Sequence, residues 1–340
     1  MVTIKDVAKR AGVSIAAVSY AINNKEGVND ENRRKILEIV REMGYIPNQQ
    51  ARSLVSKKST VMGIIISDVT SAYNAEIIKY IERYLHNDRS QLMLGCSSGD
   101  ISREEFLLER FIAQKMQGII LFPTMLTDSK VLATYANAIN NCGIPILIIS
   151  HRVEGLNCRF ADIDLAGGMY KIARYLLDEK DCKSIVMFST SDKSIYSEDK
   201  EQGFTRAMAE SGLDAEKCIF RFSEKDDFES GKKNIERFLQ FNDLPDAIMA
   251  INDISALAVI RSLRAHGYRV PEDLLVTGFD GLDLSNYFDG TITTAGFDRK
   301  KLSKQCLEML SGKDSGTSVI ELDLIEGMST KRETPNREFT

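Results

Sequence analysis

The sequence predicts an α/β chain in which a helix-turn-helix three-helix head precedes a larger body of two lobes, each a doubly wound parallel sheet. Three observations carry that prediction. Thr3 to Asn23 holds two short apolar stripes at helical spacing, divided by Gly12-Val13. From Val61 onward, short and continuously apolar runs alternate with helix-like segments, the pattern of parallel strands buried on both faces. The charge is unevenly spread: residues 1–58 carry 11 Lys and Arg against 6 Asp and Glu, leaving 33 against 43 for the remainder of a chain of net charge -5. A basic head on an acidic body suits phosphate contact by the head.

In the head, Ile4, Val7, Ala8 and Ala11 share one helical face, and Gly12-Val13 ends that helix. Ser14 stands where an N-cap belongs, its hydroxyl able to accept from an unpaired amide of the next turn. Ala17, Val18, Ala21 and Ile22 then give the second helix its apolar stripe. Two short helices joined by a tight Gly-containing turn form the unit whose second helix can enter a major groove. Asn24 to Val28 is a polar loop, and Asn29 or Asp30 can cap a third helix running to about Met43. Its Ile36, Leu37, Ile39, Val40 and Met43 close the small core. Asn48 to Ser56 has good helix formers, yet at about nine residues it falls short of the roughly 12 an isolated helix needs in water, so it forms only with outside support.

The apolar runs of the body are Val61 to Ile66, Gln91 to Gly95, Gly118 to Phe122, Ile144 to Ile149, Ser184 to Phe188, Ala247 to Ile251 and Leu274 to Thr277. Helix-like segments between them include Ala75 to Asn87, Arg103 to Lys115, Leu165 to Asp178, Glu201 to Ser211, Ser230 to Phe241 and Ser255 to His266. The runs end in polar residues: Ser67-Asp68, Cys96-Ser97, Pro123-Thr124, Ser150-His151, Ser189-Thr190, Asn252-Asp253 and Asp280. Ligands of open α/β folds lie beyond the carboxyl ends of the strands, so these residues are expected to line a cleft between lobes.

Other classes are disfavoured. No apolar run approaches a membrane span and the N-terminus lacks a signal peptide's apolar region, so a cytoplasmic protein is expected. Six scattered cysteines without a CxxC, and only three histidines, indicate neither a metal site nor a disulfide framework, and no cofactor is expected. There is no nucleophile elbow and no P-loop, and the Asp residues at strand ends serve better as hydroxyl acceptors than as a general acid and base, so an enzyme is not expected.

Thr3 to Asn23 (TIKDVAKRAGVSIAAVSYAIN), Gly44-Tyr45-Ile46-Pro47-Asn48 and Ala51-Arg52-Ser53-Leu54 resemble the lactose/galactose repressor (LacI/GalR) family of bacterial transcriptional regulators. A looser likeness extends over nearly the whole chain. The resemblance implies a DNA-binding head (1–46), a hinge helix (47–58) and an effector-binding, dimerising body (59–330) that resembles periplasmic sugar-binding proteins. Its first lobe would take residues 59–159 and 291–316, its second 160–290 and 317–330, with crossings near Cys158 to Ala161, Thr291 and Thr317; a polar tail (331–340) follows.

The DNA-binding residues so implied are Thr3, Ser14, Ile15, Ala16, Ser19, Tyr20 and Asn23 in the head, and Asn48, Ala51, Arg52, Leu54 and Lys57 in the hinge. Leu54 matches the leucine that the paired hinge helices wedge between base steps in the minor groove. Such unstacking costs on the order of a few kcal/mol and is offset by the contacts a bent duplex permits. Two departures bear on the operator: the family commonly has Thr at Ala17 and often Arg at Tyr20. Arg would fork onto a guanine, and Tyr does not, while Ile15 and Ala16 suit a thymine methyl.

The implied effector pocket comprises Tyr73, Asn74, Thr124, His151, Phe160, Lys200, Phe228, Asp253 and Asp280. Asp280, in Thr277-Gly278-Phe279-Asp280, is a strand-end carboxylate able to accept two hydroxyl hydrogen bonds from a polyol. Lys200 replaces the family's usual Arg and offers a point charge in place of a fork. With Arg152 it would admit an anionic effector such as a sugar phosphate. The function implied is a dimeric repressor of a carbohydrate utilisation operon, with a sugar-like effector in the cleft controlling binding to double-stranded operator DNA. Two alternatives stand beside it: a global catabolite regulator answering to a phosphorylated carrier protein, and a sugar receptor without DNA function.

Overall fold

The computed structural model describes residues 2–46, 59–124, 129–150, 153–191, 194–223, 225–283, 290–312 and 318–332. It divides into two compact units, Met1–Ser59 and Thr60–Thr340.

The first unit is a three-helix head. Helix α1 (Ile4–Ala11) starts with a reciprocal capping box: the Asp6 amide donates to the Thr3 hydroxyl, and the Thr3 amide donates to the Asp6 carboxylate. It ends at Gly12, whose φ of 68° is left-handed and favours glycine. Helix α2 (Ile15–Ile22) is capped by Ser14, which accepts from the Ala17 amide at 3.1 Å, and α3 (Asp30–Glu42) by Asn29. Val7, Ala8, Ala11, Val18, Ala21 and Ile36 form the core they share. The Arg33 guanidinium fastens the α2–α3 loop, donating to the Asn24 side chain and the Lys25 carbonyl, both at 2.7 Å.

The second unit has two parallel sheets. The first runs β2 (Gln91–Cys96), β1 (Val61–Ile66), β3 (Gly118–Leu121), β4 (Ile146–Ile149), β5 (Arg159–Ile163) and β11 (Ser318–Ile320). The second runs β7 (Ile219–Ser223), β6 (Ile185–Thr190), β8 (Ala247–Ala250) and β9 (Leu275–Thr277). A separate antiparallel pair joins β10 (Thr294–Gly296) to β12 (Asp323–Ile325). The apolar runs Met62–Ile66, Gly118–Leu121, Ile146–Ile149, Ile185–Thr190 and Ala247–Ala250 are buried throughout, as strands covered on both faces must be.

The helices of this unit are α4 (Ala72–Asn87), α5 (Ile101–Ala113), α6 (Ser129–Ile139), α7 (Leu165–Arg174), α8 (Ile195–Glu210), α9 (Phe228–Phe241), α10 (Asp253–Ala265) and α11 (Arg299–Leu310). A π turn, Tyr175–Glu179, prolongs α7 through the stretch expected to be plain helix. Because β5 and β11 pair with the first sheet, the chain leaves that sheet after Ile163 and after Ile320. Both points lie later than the crossings expected at 158–161 and 317.

Candidate functional site

On the head, α2 presents an exposed face. Ile15 is 45% and Tyr20 41% exposed, and Ala16 is exposed beside them. The Tyr20 ring lies against the loop glycine Gly27, where an added Cβ would stand 3.1 Å from it. The four remaining head residues singled out from the sequence all have local tasks. Thr3 and Ser14 cap α1 and α2, and the Asn23 amide donates to the Ser19 carbonyl at 2.7 Å while lying 3.4 Å from its hydroxyl, closing the last turn of α2. These capped N-termini carry the partial positive charge that suits an approaching phosphate. Asn48, Ala51, Arg52, Leu54 and Lys57 lie outside the described residues.

In the body, the polar ends of strands from both sheets converge on a cleft of 360 Å³. Tyr73, Asn74, Lys200 and Asp280 line it, as do Ser67 and Asp68 after β1, Ser150 after β4 and Asn252 after β8. Asn74 is fixed by its amide donating to the Asp68 carbonyl at 3.0 Å. Tyr196, at the start of α8, donates its hydroxyl to the Pro123 carbonyl beyond β3 at 3.0 Å, which joins the two lobes beside the cleft.

Lys200 is 7% exposed and its ammonium has contacts on three sides. It donates to the Ile251 carbonyl at 2.9 Å, stands 3.6 Å from Asp280 Oδ1, and sits 4.3 Å from the centre of the Phe279 ring. Burial pushes the Asp280 carboxyl up from its usual value, and the adjacent ammonium opposes that shift. Asp280 has φ 105°, rare for a residue with a side chain, and its turn is over-determined. The Asp280 amide donates to the Ala295 carbonyl, and the Gly281 amide to the Thr294 hydroxyl. Arg299 donates to the carbonyls of both Asp280 and Gly281, while its Nε lies 3.0 Å from Glu76 on α4.

Four residues expected in the pocket do not line it. Thr124 turns its amide and hydroxyl onto the buried Glu104 carboxylate, the hydroxyl at 2.6 Å; Glu104 also accepts from Tyr135. Phe160 sits in mid-strand and packs with Ile65, Ile148 and Tyr135 in the first lobe's core, 3% exposed. Phe228 is the half-buried first residue of α9, one position beyond the lining Asp227. Asp253 lies 1% exposed, accepting the Leu282 amide at 2.7 Å. Burial, then the charge of Asp280, raise its carboxyl to about 8. His151 lies outside the described residues.

Asp162, Tyr196, Asp199, Asp226 and Arg299 carry no functional signal in the sequence. Asp226 follows β7, whose Ile219–Ser223 run is interrupted by Arg221 and so lacks the continuous apolar pattern that marks a strand and its polar end. Asp162 lies in β5, whose short run carries charges at Arg159 and Asp162 and shows no continuous apolar pattern. Tyr196, Asp199 and Arg299 lie in helices, where the polar ends of strands give no signal.

A capped helix-turn-helix and an effector-sized cleft between parallel sheets define a helix-turn-helix regulator with a periplasmic-binding-protein-like body. Residues 3–48 match the model described as bacterial regulatory proteins, lacI family, and residues 173–330 that of a periplasmic binding protein-like domain. The chain is 30% identical over 313 residues to the HTH-type transcriptional repressor PurR of Photobacterium profundum, covering 91% of each chain. It is 27% identical over 310 residues to the ribose operon repressor of Haemophilus influenzae, again covering 91% of each. Its fold matches a crystal structure of the Lac repressor with a TM-score of 0.85 at 21% identity, covering 97% of this chain and 99% of that one. The chain belongs to the lacI family of bacterial regulatory proteins and is a DNA-binding regulator of transcription.

Proposed function

We propose that this protein is a cytoplasmic, dimeric repressor of a carbohydrate utilisation operon, controlled by a small hydroxylated effector bound in the cleft of its body. The observation that carries the reading is the Lys200–Asp280 turn. A carboxylate held at a strand end by a clamped backbone, among serine and asparagine side chains and aromatic faces, suits the vicinal hydroxyls of a sugar. The likeness to a ribose operon repressor agrees with that ligand class.

Two heads then read a two-fold related operator. Ile15, Ala16 and Tyr20 meet base edges, the capped helix N-termini meet phosphates, and Leu54 of each hinge enters the minor groove. Effector binding changes the balance between lobe arrangements and so biases hinge pairing. Its leverage equals its differential affinity for the two states, typically about 1 to 3 kcal/mol.

Selection of bound duplexes from a random pool tests the reading. The expected product is a pseudo-palindromic site with a flexible central step, and recovery of no enriched two-fold sequence would count against it. In the same assay Leu54→Ala is expected to weaken binding to the selected site far more than to random duplex, which is held by phosphate contacts alone.

A further inference from the structure

Resting on the cleft as the effector site, we propose that Arg299 is the positioning residue that couples effector binding to the arrangement of the two lobes, its guanidinium tying the Asp280 turn of the second lobe to Glu76 of the first. Asp280 follows β9 of the second sheet, whereas Glu76 lies on α4, between β1 and β2 of the first. Arg299 opens α11, which packs on α4. There the Ser303 hydroxyl donates to the Ile77 carbonyl at 3.4 Å, and Leu302 and Cys306 share a buried cluster with Ile77 and Ile81.

The two sides of the guanidinium are held in different ways. Arg299 is 7% exposed, and a buried charge of this kind is tolerated only when its donors are met. Towards the second lobe it meets them with backbone: Nη1 donates to the Gly281 carbonyl at 3.0 Å and Nη2 to the Asp280 carbonyl. That fork clamps the turn in which Asp280 adopts φ 105°, a strained conformation that persists only where its surroundings enforce it. Towards the first lobe the hold is an ion pair. Nε lies 3.0 Å from Glu76 Oε2, yet its N–H finds no aligned acceptor among the described residues. A fork onto two carbonyls is directional and is lost on rotation, whereas an ion pair falls off slowly with distance. When the lobes rotate, Arg299 therefore stays with Glu76 and leaves the Asp280 turn.

The same guanidinium reaches the cleft wall. It lies 5.5 Å from the centre of the Tyr73 ring and 5.4 Å from that of Phe297, and these two lining rings meet edge to face at 6.2 Å. An effector bonded to Asp280 and resting on these rings contacts both the clamped turn and the platform under the clamp. It binds best where the clamp is closed, and by linkage it favours the lobe arrangement that closes the clamp.

Two measurements on the full-length protein test this. Calorimetry with D-ribose, D-glucose, D-galactose, D-fructose and their phosphate esters finds the probe that binds, and the selected duplex is then titrated with and without that probe at saturation. Arg299→Lys keeps a charge beside Glu76 but cannot form the fork, and it is expected to shrink the probe-induced change in duplex Kd at least threefold. Glu76→Gln lies outside the cleft lining and is expected to shrink that change equally while probe affinity stays within threefold. A side chain that only stabilises the fold would lower the urea midpoint and leave the probe-induced change at its parent size; that result in both variants overturns the assignment and leaves the cleft reading intact. Glu76→Gln alone decides the matter should Arg299→Lys fail to fold. Failure of every probe to bind the parent, in protein that still selects its duplex, overturns the cleft reading and this inference with it.

Discussion

The Lys200 ammonium lies 3.6 Å from Asp280 Oδ1, with side chains only 9% and 16% exposed, and each group relies on the other for charge compensation. Removing one partner of such a buried pair leaves the other charge stranded. Lys200→Met is therefore expected to lower folding stability by about 3 kcal/mol, read as a fall in the urea midpoint at neutral pH, and to abolish effector binding in calorimetry. Unchanged stability would mean that Asp280 is solvated well enough to stand alone.

Asp253 makes stability depend on pH with a definite sign. Its carboxyl is raised from 3.8 to about 8 in the folded protein, first by burial and then by Asp280. The folded state keeps a proton that the unfolded chain releases, so this stabilisation is full below the unfolded value and is lost as pH rises through 8. Inside that window the slope is at most about 1.4 kcal/mol per pH unit. Urea unfolding between pH 5 and 8 is expected to show a fall in stability that Asp253→Asn flattens, and equal slopes in both proteins would contradict the assignment.

Tyr196 and Pro123 hold the lobes together by one hydroxyl, at 3.0 Å. Tyr196→Phe keeps the ring and deletes that bond, a net loss of about 1 kcal/mol. The cleft then opens more readily, and the affinity for whichever probe sugar binds is expected to fall roughly fivefold by calorimetry. An unaltered affinity would show that the bond plays no part in closing the cleft.

The head separates stability from reading. Ser14→Ala removes the cap of α2 and is expected to cost about 1 kcal/mol in thermal unfolding of the head. Ile15→Ala and Tyr20→Ala touch exposed side chains, so they are expected to stay within about 0.5 kcal/mol of the parent while changing the bases recovered by duplex selection. Recovery of the parent sequence by both variants would show that α2 does not read bases through this face.

The sequence made the framework legible where one physical signal dominated. Val61–Ile66 is continuously apolar because the strand is buried on both faces, and the expected and observed bounds coincide. Ser14 was readable as a cap because few residue types satisfy an open helix turn. Phe160 and Thr124 were misplaced because likeness to a family fixes a position along the chain, while local packing fixes where the side chain goes. Phe160 completes an apolar core, and Thr124 is held by Glu104, twenty residues away in sequence. Arg299 was invisible for a related reason: its partners, Glu76, Asp280 and Gly281, are brought together only by the fold. The contacts of Lys200 with Ile251, Asp280 and Phe279 are likewise set only by the fold.

The central claim is that occupancy of the cleft governs reading by the head, and one titration addresses it directly. The selected duplex, labelled with a fluorophore, is titrated with full-length protein in the absence and in the saturating presence of the sugar that calorimetry finds to bind. The account predicts a change in Kd of between about 5-fold and 150-fold, in either direction, that disappears in Lys200→Met. An identical Kd with and without the bound sugar would contradict it.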